Sequence, residues 1–325
     1  MKRLLAVIIV ATLAYSGWWF YAAYNLRSSV ADWFATQRAA GAQVDYADLT
    51  VRGFPNRTDL TITEPMIIAA DDPFGWSAPF LQILALSYNQ RHVIVALPDT
   101  QTLTTGKGDV AVASDGMLAS VIHDNGAVVR SNLESTVLNM TGPDHALAMA
   151  DVNAALQKID ANPASYRVAI SIGSLAATSP QVAQNISPES LASLRAELEL
   201  SFDHPLTADA FAGALPQVTG MTLTRSEINY GAVTFKVTGD ASFDAAGRAT
   251  GEVTLTAENW RDAISNAREN GDLPAVLSEG IIELLSMLST FSGARDALDV
   301  TLGLDRGTVL IGPIPVGKLP PLDWR

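Results

Sequence analysis

The first 26 residues contain an uninterrupted apolar run, which constrains the chain more than any other sequence feature. After Lys2 and Arg3, no charged residue occurs before Arg27. As a helix, residues 4–24 would extend about 31 Å, close to the hydrocarbon thickness of about 30 Å. Aromatic residues crowd the far end, where such rings prefer the membrane–water boundary. Residues 1–26 are therefore predicted to be a membrane anchor that includes Leu4, Ile8, Leu13, Trp18, Trp19 and Tyr21.

The charge pattern predicts which side of the membrane holds the rest of the chain. Lys2 and Arg3 should stay in the cytoplasm, so we expect a single-pass protein of the inner membrane with its body in the periplasm. A cleaved signal peptide is the alternative, with residues 4–13 as its apolar core and Ala14-Tyr15-Ser16 as the cleavage site. Cleavage there would leave a strongly apolar new terminus, which favours the uncleaved anchor. Both alternatives export the body.

Net charge and cysteine content exclude several classes of function. The chain has a formal net charge of −13, and the anchor contributes only cations, so the body is more acidic still. Such a body is repelled by phosphate backbones, which argues against a nucleic-acid partner. The chain has no cysteine, which excludes disulfides, thiolate catalysis, cysteine-ligated zinc and iron–sulfur clusters.

The body of the chain reads mainly as strands. Residues 25–42 should continue the first helix, with Gly41 as its stop. Apolar and polar residues then alternate, as in half-buried strands, through "QVDYADLTVR" and "TDLTITEP". Similar alternation returns in residues 165–178, 196–203 and 220–258, and a turn at 305–307 joins the last strands.

Four other segments are predicted to be helical: residues 149–163, 187–195, 259–270 and 273–291. Ser187 would be the N-cap of the second of these. Because strands and helices do not alternate regularly, we predict an α+β fold. Its N-terminal transmembrane helix precedes a large, mostly antiparallel curved β-sheet, which could be an open β-groove with a few covering helices. The exported domain covers 27–325, with possible halves at about 43–180 and 181–325.

Residues 79–97 are apolar on both faces of their strands, so both faces should be covered. The cover could be helices, a second sheet or a bound apolar ligand. The segment 273–291 also has a wide apolar face, typical of a buried covering helix or of a mobile lid. The candidate residues of an apolar groove or its lid are Leu84, Leu86, Val95, Ile281, Leu285 and Leu288.

The sequence "VRGFPNRTDLTI" places a turn between two alternating segments. Gly53 can adopt a positive φ, Phe54 is extended because it precedes proline, and Pro55 cannot donate to a ladder. We interpret these residues as a rigid strand corner that presents an aromatic ring. The backbone preferences of these residues account for the corner, and we favour this structural role over a ligand contact by Phe54.

With its anchor, this turn motif and the closing "LGLDRGTVLIGPIPVGKLPPL", the chain resembles the bacterial family catalogued as domain of unknown function 2125. The resemblance covers nearly all of the exported chain and implies an envelope location, but it brings no catalytic residues. More distantly, the chain is similar to AsmA-like envelope proteins, which implies an open β-groove associated with lipid handling. It is much shorter than the long AsmA-like proteins.

No catalytic, cofactor or metal site is predicted. The four histidines, His92, His123, His145 and His204, lack the spacing of a helical metal pair, and Asp71-Asp72 suits a solvated turn.

We therefore expect a non-enzymatic, membrane-anchored periplasmic protein that binds an apolar ligand, above all lipid, or supports envelope maintenance. One alternative is a scaffold with a membrane-protein partner. Another is a hydrolase assembled from residues distant in sequence.

Overall fold

A computed structural model describes residues 1–68, 74–178, 191–207, 216–230, 233–258, 260 and 297–322. Twenty strands follow one long N-terminal helix in these residues. They divide into two compact units, Met1–Ile122 and His123–Arg325. The strand pairings within each unit are antiparallel. The predicted fold class, an α+β chain with an N-terminal helix and a large antiparallel sheet, is confirmed.

The helix α1 runs from Lys2 to Ala39 without a break. It ends where the sequence predicts, because Gly41 has a φ of 95° and leaves the helical conformation. Among the described residues, α1 is the helix whose length and composition suffice to cross a membrane. Its apolar side chains are exposed over residues 4–13, whereas Trp19, Ala23 and Phe34 farther along the helix are buried.

The first unit contains ten short strands that form two rows. The strands are β1 (Gln43–Asp45), β2 (Asp48–Arg52), β3 (Arg57–Thr63), β4 (Met66–Ile68), β5 (Gly75–Ser77), β6 (Phe80–Leu86), β7 (Asn89–Ala96), β8 (Thr100–Thr105), β9 (Gly108–Asp115) and β10 (Leu118–Asp124). One row pairs in the order β2-β3-β6-β7-β10. The other pairs in the order β1-β4-β5-β8-β9.

These two rows are halves of one five-stranded meander, because the chain steps from row to row at each break. The breaks fall at 46–47, 64–65, 78–79, 97–99 and 116–117, and neighbouring breaks face one another. Pro65, Pro79 and Pro98 occupy three of the breaks, where the missing N–H stops the ladder. We call this line of breaks the crease.

The core of the first unit lies between α1 and the sheet. Leu60 and Ile62 of β3 are buried, and the residues between and beside them are more exposed, as the alternating sequence predicts. They pack with Phe34 of α1 and with Val44 and Leu49. The second half of α1 is therefore a core element of this unit.

The second unit is a meander in which each strand pairs with the next along the chain. The strands are β11 (Ala127–Thr141), β12 (Ala146–Ile159), β13 (Asn162–Thr178), β14 (Ala192–Phe202), β15 (Val218–Tyr230), β16 (Val233–Phe243), β17 (Ala249–Glu258), β18 (Ala297–Asp305), β19 (Thr308–Ile311) and β20 (Ile314–Lys318). Turns predicted at residues 244–247 and 305–307 join their strands as expected.

Two helix predictions are wrong where the structure describes the residues. Residues 149–159 belong to β12, which pairs with both β11 and β13. Residues 192–195 belong to β14, although 187–190 lie outside the described residues. Pairing on both edges outweighs the helical preference of alanine, leucine and glutamine here. Apart from Trp260, the helices predicted at 259–270 and 273–291 also lie outside the described residues.

Candidate functional site

The strands of the second unit separate polar and apolar side chains onto opposite faces. On the polar face, opposite charges stand across neighbouring strands. Arg167 of β13 pairs with Glu199 of β14 at 3.2 Å, and Arg225 of β15 lies 4.0 Å from Glu197 of β14. These cross-strand pairs are exposed, so the polar face is in contact with solvent.

The opposite face, which we call the apolar face, carries aliphatic side chains on adjacent strands in register. Leu156 of β12 stands across from Val168, which stands across from Leu198, which stands across from Leu223 of β15. Parallel rows on the same strands continue this surface. Its residues on β12–β15 include Val152, Ala154, Leu156, Val168, Ile170, Ile172, Leu194, Leu198, Leu200, Leu223 and Ile228.

Burial differs along the apolar face. Toward β16–β18, Val233, Phe235, Val300 and Trp260 form a closed hydrophobic cluster. On β13 and β14, Ile170 and Leu198 are only half-buried. An aliphatic surface in this intermediate state has the chemistry to accept a hydrocarbon chain. Lys158, which stands across from Tyr166, lies at the edge of this surface.

Two depressions of the second unit lie on the polar face instead. One, of about 400 Å³, is lined by polar side chains around Ala155 and Ala169. The other, of about 420 Å³, has Ser201, Thr222 and Asp240 among its lining residues. Among the described residues, no group of three histidines or acids could hold a metal ion. These depressions therefore provide polar surface.

The predicted corner at Gly53, Phe54 and Pro55 connects β2 to β3. Gly53 has a φ of 104°, and a Cβ there would lie 2.7 Å from the Cβ of Arg57, so only glycine fits. The Phe54–Pro55 peptide bond is cis. The corner is thus a tight backbone loop, and the ring of Phe54 remains 45% exposed.

This corner is bound to α1 by side chains of the predicted anchor. Tyr15 donates a hydrogen bond to the Pro55 carbonyl at 2.7 Å, and the Trp19 indole donates to the Arg57 carbonyl at 2.9 Å. Phe54 stacks on Phe20 with ring centroids 5.5 Å apart. The helix and the corner therefore form one structural junction.

The other anchor residues point away from the described protein. Leu4, Ile8 and Leu13 are 53–67% exposed, and Trp18 and Tyr21 are also exposed. Trp19 differs, since it is only 4% exposed and packs edge-on against Phe54. Thus Trp19 belongs to the junction with the corner, whereas the remaining anchor residues leave an apolar helix surface uncovered.

The structure separates the residues predicted to line a groove. Leu84 and Leu86 share one face of β6, whereas Val95 stands across from Ile83 on the opposite face. Ile83 packs toward the core around Phe34, so the face of Val95 is the one that α1 covers. Ile281, Leu285 and Leu288 lie outside the described residues.

The histidines make local contacts. The His92 ring lies 2.8 Å from the Ser120 hydroxyl on an exposed part of the sheet, and His204 pairs with Asp203 at 2.7 Å. His123 lies in β10, and His145 precedes β12. Among the described hydrogen bonds, no carboxylate orients the His92 ring. Asp71-Asp72 lies outside the described residues.

Sequence reasoning missed that the corner binds the anchor. Tyr15 and Trp19 are four residues apart, which places both on one face of a helix. That spacing indicates two side chains that can contact the rest of the protein from one face of an otherwise apolar helix. The carbonyl groups of Pro55 and Arg57 that receive the two bonds carry no signal of their own in the sequence.

Comparison with known protein families assigns the chain. The model of a family described as an uncharacterized protein conserved in bacteria, DUF2125, matches residues 19–320. No curated protein and no solved structure matches the chain. The more distant similarity to AsmA-like proteins stays a prediction.

Proposed function

The chain belongs to the bacterial DUF2125 family, and from this premise we propose that it is a lipid-binding protein of the cell envelope. In this proposal α1 anchors it in the inner membrane and its body occupies the periplasm. The apolar face of the second unit holds one or more acyl chains. The protein acts by binding, without catalysis.

The apolar face is the observation that carries this proposal. Its aliphatic residues continue in register across β12–β15, and Ile170 and Leu198 in its middle are half-buried. An acyl chain gains about 0.8 kcal/mol for each CH₂ group removed from water. A surface of this kind offers affinity for hydrocarbon without needing a particular headgroup, which favours lipid over a polar metabolite.

Paired photo-crosslinking sites on β14 test the proposal. A benzophenone amino acid replaces Leu198 on the apolar face, or Glu197 on the polar face as the matched control. The full-length protein is irradiated in cells, extracted in mild detergent and analysed by mass spectrometry. We expect lipid adducts at position 198 and none at 197.

The result at position 198 separates the two main alternatives. Equal labelling at both positions, or no lipid adduct at 198, would overturn the lipid site. A single dominant protein adduct at 198 would favour a scaffold that holds a membrane-protein partner. Native mass spectrometry of the unlabelled chain gives an independent readout of a retained lipid.

The absence of catalysis in this proposal has its own test. His92 and Ser120 are within hydrogen-bond distance, the minimum geometry of a base and its nucleophile. Their bond joins side chains on an exposed sheet surface, so water would compete for both groups. We expect no turnover of ester, glycoside or phosphate substrates. Turnover that Ser120→Ala abolishes would identify a hydrolase instead.

A further inference from the structure

We propose that one end of the first unit rests in the headgroup layer of an anionic membrane, the one that α1 crosses. This end, which we call the contact end, consists of residues 53–56 between β2 and β3 and residues 87–88 between β6 and β7. Phe54 and Tyr88 are its interfacial side chains. The proposal depends on α1 as the anchor, but it does not depend on a lipid bound to the apolar face.

The position of the corner along α1 sets its depth. Phe20 stacks on Phe54, and Tyr15 and Trp19 bind the backbone of the same corner. Phe20 lies 17 residues beyond Arg3, or about 26 Å along the helix, whereas the hydrocarbon core is about 30 Å thick. With Arg3 at one membrane surface, Phe20 and the part of the corner that it contacts lie within about 4 Å of the other surface. A body held on a flexible stalk is incompatible with these contacts.

The second loop lies beside the corner. The Ser87 amide donates to the Asn56 carbonyl at 2.9 Å, and the Ser87 hydroxyl donates to the Pro55 carbonyl at 2.9 Å. Ser87 is 5% exposed, so this connection is internal. Tyr88, the next residue, is 77% exposed. It is thus at the depth of the corner and free to turn its ring to the membrane.

The exposed aromatic side chains form a belt that suits this depth. Trp18, Tyr21 and Tyr24 of α1 are 47–70% exposed, and Phe54 and Tyr88 extend the same kind of surface from the sheet. Aromatic rings with one polar edge are enriched where hydrocarbon meets headgroups. The two loops of the contact end thereby extend the contact with the membrane beyond the helix α1.

Charge at the contact end fits an anionic membrane, although the whole chain is acidic. Arg52 ends β2, Arg57 begins β3, and Arg91 lies near the start of β7. Arg57 is paired with Asp59 at 3.0 Å, and the side chains of Arg52 and Arg91 are exposed at the strand ends. A basic residue near an anionic surface is attracted to it. The acidic remainder of the chain is repelled and would stay away from the bilayer.

The chain has no cysteine, so single-site labelling can test the contact end directly. The full-length protein carries Tyr88→Cys with an environment-sensitive fluorophore and is reconstituted into nanodiscs of phosphatidylcholine and phosphatidylglycerol. Lys107→Cys is the matched control, because it is an exposed turn residue beyond the crease between β8 and β9. Lipids with a nitroxide in the headgroup region quench fluorophores at the interface. We expect at least twofold stronger quenching at position 88 than at 107.

Equal, weak quenching at the two positions would overturn the proposal, even if photo-crosslinking had established a lipid on the apolar face. Conversely, quenching at position 88 would support the contact end even if no lipid adduct formed at position 198.

A second measurement tests the charge argument by replacing two arginines in the protein that carries the fluorophore at position 88. Arg52→Gln with Arg91→Gln should reduce the quenching at 88 in anionic discs and leave it unchanged in pure phosphatidylcholine. Unchanged quenching in both would exclude an anionic preference.

Discussion

Tyr166 of β13 shows how one residue fixes the second unit locally. Its side chain is 0% exposed, and its ring meets Phe202 edge-on with centroids 5.8 Å apart. Its hydroxyl oxygen accepts a hydrogen bond from the Leu206 amide at 3.0 Å. Burial raises the pKa of the Tyr166 hydroxyl, and the smaller effect of the Leu206 bond acts in the opposite direction.

Replacing Tyr166 by phenylalanine should lower the free energy of unfolding by about 1–3 kcal/mol, because the buried Leu206 amide loses its acceptor. The pH dependence should change as well. Above pH about 10 the unfolded tyrosine ionises while the folded one stays neutral, so stability falls as pH rises. Urea unfolding of the wild-type chain should show this alkaline loss, and Tyr166→Phe should show less of it. Identical alkaline slopes would contradict the assignment.

A glycine of the same meander gives a prediction with a built-in control. At Gly239 of β16, φ is 151°, and a Cβ would lie 2.2 Å from the Glu252 carbonyl oxygen of β17. Gly239→Ala forces two backbones apart and should cost about 1–3 kcal/mol or more. At Gly303 of β18 the nearest atom would be 3.6 Å away, so Gly303→Ala should be tolerated. Thermal unfolding compares the two, and equal losses would refute the steric explanation.

At the scale of elements, periodicity predicted some segments well and failed where propensity dominated. The alternation in residues 233–238 identified β16 because its polar partners are threonine and lysine. Residues 149–159 instead contain alanine, leucine and glutamine, which prefer helices, and their strand is fixed by neighbours on both edges. Those neighbours are distant information that a local pattern does not contain. The crease was likewise not predicted, because the facing of Pro65, Pro79 and Pro98 across neighbouring strands depends on strand pairing.

The helix α1 was predicted in full, but its double role was not. Phe34 is 2% exposed in the core of the first unit, whereas Leu5 is 59% exposed near the other end of the same helix. Phe34→Ala should therefore destabilise the first unit by about 3–5 kcal/mol. Leu5→Ala, an equally apolar truncation, should leave stability nearly unchanged. Denaturant unfolding of both variants in detergent is the measurement, and a large loss for Leu5→Ala would contradict it.

At the scale of the whole molecule, the sequence predicted an anchored, acidic, sheet-rich chain. It did not predict which residues form the apolar face of the second unit. The apolar face depends on which residues of separate strands stand in register, as Val168 and Leu198 do. Local alternation shows that each strand has an apolar side but not that these sides join. The separation of Val95 from Leu84 has the same cause, since the groove prediction combined residues from both faces.

The orientation of the chain gives a prediction at this scale. Alkaline phosphatase, which is active only outside the cytoplasm, is fused after Arg325. We expect activity in cells, because Lys2 and Arg3 should retain the amino terminus inside while the remainder crosses. The same fusion without residues 1–26 should be inactive. Activity only from a cytoplasmic reporter at this position would refute the envelope location and the lipid proposal with it.

The neighbour-to-neighbour pairing of the second unit has a consequence for how the molecule is made. Every strand from β12 to β19 finds its partners immediately before and after it in the chain. A polypeptide emerging from its amino terminus can thus add one hairpin at a time, without waiting for a distant segment. The closures between β11 and β12, between β16 and β17 and between β18 and β19 are short and entropically cheap, whereas β17 and β18 are joined through residues 259–296. The order of synthesis becomes an order of assembly. Until its successor arrives, the newest strand is the growing end of the sheet.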